Sequence, residues 1–324
     1  MRKILIINLY LFLLILNPAL STNENYVLWK KDLKKEAVNL GISLKTFEKH
    51  IETINTLNKK VLSNYKNQPE FKISFDDYYN RNITSKRVKK GNNLLNQYTE
   101  ILNSVYEKYS VNPQIILSIW ALESNYGTYT GNFDVIDALN TLAFASKRNK
   151  FFRKELLNIL MILDKNLIER DKLKGSWAGA MGQSQFMPSS YLNYAVDFNS
   201  DNKIDIWNTY EDIFASISNY LSKHGWRKND PWCFELNNNK DNASYLKNLK
   251  DKQSINIQEL VEKKLLIHKD KNFNRSLSGK IKIIRNSKNI RYFVVFKNFE
   301  VLKRYNNSDF YALTLGSLAN KYEK

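Results

Sequence analysis

The chain has 324 residues, 43% of them hydrophobic, which is enough apolar material for two packed cores and too much for a disordered polymer. Lys and Arg outnumber Asp and Glu by 50 to 32, and the formal charge of +18 draws the protein to polyanions. A single cysteine, Cys233, excludes an intramolecular disulfide.

In chain order, Arg2 and Lys3 precede an apolar run from Ile4 to Leu16, then Asn17-Pro18 and the small residues around Ala19-Leu20-Ser21. This layout predicts a secretory signal peptide over residues 1–21 and a periplasmic protein. The run is shorter than the roughly 20 residues of a membrane span; a retained anchor is the alternative. No cysteine stands near the cut to carry a lipid. Loss of Arg2 and Lys3 would leave +16. In that compartment nucleic acid is not the expected polyanion, and peptidoglycan, with its stem-peptide carboxylates, is. Solvated Lys- and Asn-rich faces would account for the charge equally well.

Apolar residues then recur at helical spacing from Tyr26 to about Leu62, as in Phe47, Ile51 and Ile54. Asn67–Phe75, with Pro69, reads as an extended link. Helical patterning resumes at about Ser85 and carries Leu94, Leu95, Tyr98, Ile101, Leu102 and Val105. A marked helix follows, with Asn112 to cap it, Pro113 in its first turn and Gly127 beyond its end. Another is expected over Phe151–Ile168, a glycine-rich loop over Lys174–Gly182, and a helix over Asp212–Lys223 ended by Gly225. After Pro231, the runs Ile281–Ile284 and Tyr292–Phe296 predict strands, and Ser308–Lys321 is helical. The expected fold is mainly α (α+β). A helical region and core would span 22–231, a small β-containing subdomain 232–303, and a segment returning to the core 304–324.

On Pro113–Ser124, the residues three, four and seven before Glu123 are Trp120, Ile119 and Ile116, so Glu123 extends an apolar stripe. Burial disfavours the charged form of a carboxyl group, which suits a proton donor near neutral pH. A buried Glu paired with a cation, or one at a frayed helix end, would occupy the same position.

The segment Ile119-Trp-Ala-Leu-Glu123-Ser-Asn-Tyr-Gly127, with Ala178-Gly-Ala-Met-Gly182-Gln-Ser-Gln185-Phe-Met-Pro188-Ser-Ser-Tyr191, resembles the membrane-bound lytic transglycosylase B family, whose members have a lysozyme-like core. Pro69-Glu-Phe71, Phe75, Tyr78, Asp197-Phe198, Asn219-Tyr220, His224-Gly-Trp226, Arg304-Tyr-Asn306-Asn-Ser308 and Tyr311-Ala312 match in the family's order. The likeness runs from about residue 25 to 321 and is weakest over 233–290. It implies Glu123 as general acid and then base, and Ser176 and Gln185 lining the cleft. It further implies Tyr220, Tyr305, Asn306 and Tyr311 around the scissile bond, and Tyr78 and Arg148 as more distant contacts. For each tyrosine, core packing with a hydrogen-bonded tip is the alternative.

Ordinary glycosidases use two carboxyl groups, and no second acid is tied to this motif. The chemistry that the resemblance implies needs one. Glu123 protonates the bond between N-acetylmuramic acid and N-acetylglucosamine, then takes the proton of the muramic acid's C6 hydroxyl, which closes a 1,6-anhydro ring. That nucleophile is intramolecular, so effective molarity replaces a positioned water, and no cofactor is required. Glycan strands are the expected partner, with other cell-wall proteins beside them. A water-using lysozyme-type hydrolase and a non-catalytic peptidoglycan-binding module are the rival readings.

Asp197-Phe-Asn199-Ser-Asp201-Asn-Lys203-Ile-Asp205 follows the alternation of an EF-hand calcium loop. Asp197, Asn199 and Asp201 would give side-chain oxygens and Lys203 its carbonyl. Asn202 replaces the usual Gly and Asn208 the usual bidentate Glu, leaving Glu211 or Asp212 as the late ligand. The resemblance implies a structural calcium here; a capped acidic turn is the alternative.

Overall fold

The computed structural model describes residues 18–67, 73–266, 274, 276–286 and 289–322. The signal segment up to Asn17 and the Pro69-Glu-Phe71 match lie outside the described residues. The chain divides into two compact units, Met1–Thr56 and Leu57–Lys324.

In the first unit, α1 (Pro18–Asn39) starts at Pro18, a position where its missing N–H costs nothing. Gly41, at φ +82°, turns the chain into α2 (Leu44–Phe47), whose N-terminus is capped by the Ser43 hydroxyl. A π-helical turn, Glu48–Glu52, follows. Lys30 Nζ donates to the Ile54 carbonyl at 3.1 Å, tying the end of the unit back to α1.

The second unit begins with α3 (Lys59–Lys66) and α4 (Phe75–Asn82), capped by Asn58 and Ser74. The single patterned stretch expected after Ser85 is two helices, α5 (Ser85–Gln97) and α6 (Thr99–Tyr109). Tyr98 leaves the helix between them (φ −105°, ψ 22°), and its ring packs on Trp120, Tyr210 and Phe214. Burial of that ring outweighs continuation of the helix.

Next comes α7 (Pro113–Ser124), in which every residue from Ile115 to Ala121 is buried. A helix apolar all round sits in the interior, and α7 lies among α5, α6 and the later helices Tyr210–Lys223 and Asp309–Ala319. Its caps differ from the expectation. Asn112 makes no side-chain cap bond, and the left-handed residue that ends the helix is Asn125 (φ 50°), followed by Tyr126 and Gly127 in the same region.

Strand β1 (Phe133–Asp134) leads into α8 (Val135–Ala145) and α9 (Asn149–Asp164), and β2 (Lys174–Gly175) pairs antiparallel with β1. The expected helix ends four residues early because Asn166 turns left-handed at φ 51°. After α10 (Pro188–Tyr194) and α11 (Tyr210–Lys223), Gly225 reverses the chain at φ +88°.

The last part holds β3 (Cys233–Glu235), α12 (Ala243–Asn248), β4 (Ser254–Asn256), α13 (Ile257–Glu262), β5 (Ser278–Arg285) and β6 (Ile290–Val295). These strands form one antiparallel sheet in the order β3-β6-β5-β4. Side chains alternate across a strand. One face turns Phe234, Ile281, Tyr292 and Val294 onto Leu246, Leu249, Ile257 and Leu260 of the short helices, a core of its own. The other face carries Cys233, Glu235, Lys282, Arg291 and Phe293, with Glu235 and Lys282 in register on either side of Phe293. The chain ends with α14 (Lys297–Tyr305) and α15 (Asp309–Ala319). Cys233 is buried against Gly316 of α15, where an added Cβ would stand 2.6 Å from its sulfur.

No helix among the described residues is long and apolar enough to cross a membrane.

Candidate active site

Glu123 sits in the last turn of α7, half-buried, one turn beyond buried Trp120 and Ile119. Tyr311, in the first turn of α15, donates its hydroxyl to Glu123 Oε1 at 2.5 Å. Burial, and then the charge of Glu123, holds the Tyr311 phenol well above its ordinary pKa. The same two causes, in the same order, raise Tyr305. Both phenols therefore keep their protons across the neutral range.

Around this pair the aromatic side chains form a continuous wall. Tyr305 meets Tyr220 at 4.9 Å and Phe186 at 5.9 Å between ring centroids, and Tyr220 stacks on His224 at 4.2 Å. Tyr305 donates to the Ser184 carbonyl at 2.6 Å, and Tyr220 to the Arg304 carbonyl at 2.5 Å. Burial, and then Tyr194, pushes the Tyr220 pKa up to about 12. The hydroxyls of Tyr220 and Tyr305 thus fasten loop to helix, and their rings give the wall its shape. Tyr78 packs on Phe310 at 6.3 Å and is close enough to Tyr311 to raise its pKa.

The glycine-rich loop is held by its own backbone. Ser176 Oγ accepts from the N–H groups of Ala178 (3.3 Å) and Ala180 (3.0 Å). Gln185 is left-handed at φ 50°, and its Nε2 donates to the carbonyls of Thr130 (3.0 Å) and Gly182 (2.9 Å). Asn306 follows Tyr305 in an exposed position.

The structure therefore brings Glu123, Tyr311, Tyr305, Tyr220 and Tyr78 together, with the loop of Gln185 anchored beside Tyr305 through Ser184. Arg148 is exposed before α9, and its guanidinium lies 4.4 Å over Phe151 and 5.6 Å over Phe152. Those contacts are local packing on its own helix.

Gln183 has a part that its motif position did not reveal. Its Oε1 accepts from Trp120 Nε1 at 2.6 Å, and its Nε2 donates to the Trp207 carbonyl at 2.5 Å. One buried amide thus joins the helix of Glu123 to the acidic loop. A Cβ at Gly127 (φ +78°) would collide with that amide, so the close approach needs glycine there.

In the acidic loop, Asp197 accepts from the N–H groups of Ser200 (2.7 Å), Asp201 (3.2 Å) and Asn202 (2.8 Å). Asn199 accepts from Asp201 N, and Asp201 from Lys203 N at 2.8 Å. Ser200 and Asn202 adopt the left-handed turn, so Asn202 does serve in place of glycine. Asp212 is fully buried and gives its two oxygens to Phe198 N (2.7 Å) and Asp205 N (2.8 Å). Its pKa is raised by burial first, and also by the charges of Asp197 and Asp201. No group of three His, Cys, Asp or Glu side chains that could hold a metal occurs among the described residues.

Comparison with known proteins places this geometry. The profile of the transglycosylase SLT domain matches residues 26–320. The chain belongs to the transglycosylase SLT domain family. Membrane-bound lytic murein transglycosylase B of Escherichia coli K12 is 41% identical over 154 residues, covering 47% of this chain and 42% of that protein, so the match spans less than half the relative's length. SltB3 of Pseudomonas aeruginosa, solved in complex with NAG-anhNAM-pentapeptide, superposes with a TM-score of 0.80 at 32% identity, over 92% of this chain and 79% of that one. The Escherichia coli lytic transglycosylase Slt35, solved in complex with calcium, gives 0.73 at 29% identity over 90% and 91%. The mainly helical fold with small antiparallel sheets is therefore the lysozyme-like fold of this family.

Proposed function

We propose that this chain is a lytic transglycosylase that cuts the β-1,4 bond between N-acetylmuramic acid and N-acetylglucosamine and leaves a 1,6-anhydromuramic end. The observation that carries the reading is the Tyr311 hydroxyl on the Glu123 carboxyl group at 2.5 Å. Glu123 gives its proton to the leaving oxygen and becomes a carboxylate, and the Tyr311 bond strengthens as that charge develops. The carboxylate then takes the proton of the C6 hydroxyl as that oxygen closes on the anomeric carbon. One carboxyl group serves both steps, and the Tyr311 hydroxyl beside it is a neutral donor. SltB3 was solved with an anhydromuramoyl peptide, which supports this outcome over hydrolysis.

The test is digestion of purified sacculi followed by mass spectrometry. Anhydro products are expected; reducing products alone would replace the reading with the lysozyme-type one. Glu123→Gln keeps the shape of the side chain and cannot cycle a proton, so activity should fall about 10²–10⁴-fold with folding and sacculus binding retained. A loss of only a few-fold would make Glu123 a structural carboxylate.

Glycan strands are the proposed partner and the periplasm the proposed location, supported by the apolar run before Pro18 and the net charge of +18. Residues 232–303 are proposed as a subdomain of the same unit, and no cofactor enters the chemistry. The oxygen donor set of the acidic loop suits a hard cation and supports a weak structural calcium. Asp197, Asn199, Asp201 and the Lys203 carbonyl would hold it, with Asp212 as the late acidic ligand.

A further inference from the structure

The charged face of the four-stranded sheet is turned toward the helices that carry the site's tyrosines. Arg291, on β6, makes two bonds to Glu235 at 2.6 and 2.7 Å, reaches Asp76 of α4 at 3.2 Å, and lies 4.0 Å over the Tyr79 ring. It fixes α4, which bears Tyr78. Lys282, on β5, does the same for α15: its Nζ lies 2.5 Å from Asp309 Oδ2. From the other side, Lys303 of α14 lies 2.8 Å from Asp309 Oδ1. Asp309 opens α15, and two residues later comes Tyr311.

We propose that Lys282 is a positioning residue for the catalytic cleft: with Lys303 it clamps Asp309, and through that clamp it sets where the Tyr311 hydroxyl meets Glu123. The inference rests on the catalytic reading of Glu123 given above. First turns of helices lack intrahelical partners for their N–H groups and fray. Here the Ser308 hydroxyl accepts from Tyr311 N at a long 3.3 Å, a weak hold for a side chain that must meet a carboxyl group at 2.5 Å. An isolated exposed ion pair would add little. Asp309, Lys282 and Lys303 are instead only 28, 22 and 25% exposed, and the two lysines come from different elements. The carboxylate is therefore held from two directions, and it also faces the positive end of α15. A shift of ~1 Å at a catalytic contact can slow a reaction by up to about a hundredfold.

Lys282→Met removes the ammonium group, keeps the apolar stem, and leaves Asp309 paired with Lys303, so the chain should fold. In the full protein its kcat should fall about tenfold while KM stays within about twofold, and Lys282→Arg should recover most of the loss. Combined with Tyr311→Phe, Lys282→Met should add almost nothing, because the contact through which it acts is already gone. Losses that multiply, or an unchanged kcat in Lys282→Met, would overturn the proposal. Hydrogen exchange provides a readout that does not need turnover: the amides of Tyr311 and Ala312 should exchange at least about tenfold faster in Lys282→Met. If the unsubstituted protein cleaves no glycan, the catalytic reading fails by itself. Unchanged exchange at those two amides would then refute the clamp independently.

Discussion

Tyr311→Phe tests the centre of the site with the least disturbance. Tyr311 is 4% exposed, and the substitution keeps its ring while removing one oxygen, the atom 2.5 Å from Glu123 Oε1. A hydrogen bond to a charged group contributes about 1.5–3 kcal/mol. At about 1.4 kcal/mol per factor of ten, its loss in the transition state slows the reaction roughly ten- to a hundredfold. The bond counts toward rate because it grows stronger as Glu123 becomes negative, so kcat should carry the loss. KM should stay nearly constant, since the lost contact is to the protein. Burial and Glu123 hold the Tyr311 phenol well above its usual pKa, so it stays a donor at every ordinary assay pH. Ionisation of Tyr311 should therefore add no pH dependence of its own from about pH 5 to pH 9, below the ordinary tyrosine range. The assay is release of soluble muropeptides under saturating sacculi, with melting temperatures recorded beside it. A kcat within twofold of the unsubstituted protein, or a loss confined to KM, would refute this role.

Asp309 predicts an acid limb in stability. Burial alone would raise its pKa, but the bonds and charges of Lys282 and Lys303 outweigh burial and lower it. Stability from this clamp is therefore complete above the ordinary aspartate pKa near 3.8 and is lost as pH falls through the lowered value; Asp309→Asn should narrow its deficit in urea midpoint between pH 6 and about pH 3. Gln183→Leu strands the Trp120 N–H and the Trp207 carbonyl, at about 1–3 kcal/mol for each buried group left unpaired. A lower denaturation midpoint is the expected result, and an unchanged one would show that water replaces the amide. Calcium at about 10 mM should raise the melting temperature over that in chelator. Asp201→Ala should abolish the increase, and no increase in the unsubstituted protein would leave the loop an acidic turn.

The chain's local grammar made several parts of this protein legible. The spacing of Ile116, Ile119, Trp120 and Glu123 located the helix of Glu123, because helical periodicity is a property of neighbouring residues. The short apolar runs Ile281–Ile284 and Tyr292–Phe296 located β5 and β6 for the same reason. The motifs around Glu123 and Gly182 carried the family and with it the candidate tyrosines. The break at Tyr98 was not legible, since only the ring's packing on Trp120, Tyr210 and Phe214 overrides the continuing pattern.

Partner choice belonged to the tertiary structure. Tyr311 and Glu123 lie 188 positions apart, and no local pattern says which of the matched tyrosines touches the carboxyl group. Asp212 read as a calcium ligand because an acid stands near the loop's end. Folding buries it and brings the N–H groups of Phe198 and Asp205 to its two oxygens, partners that no local pattern names. Asp309 could be read from sequence as an acid in a helix's first turn, which the helix dipole alone explains. That Lys282 and Lys303 converge on it is decided by how the sheet and α14 pack, because a long-range ion pair is specified by two surfaces meeting and leaves no mark in the residues on either side of it.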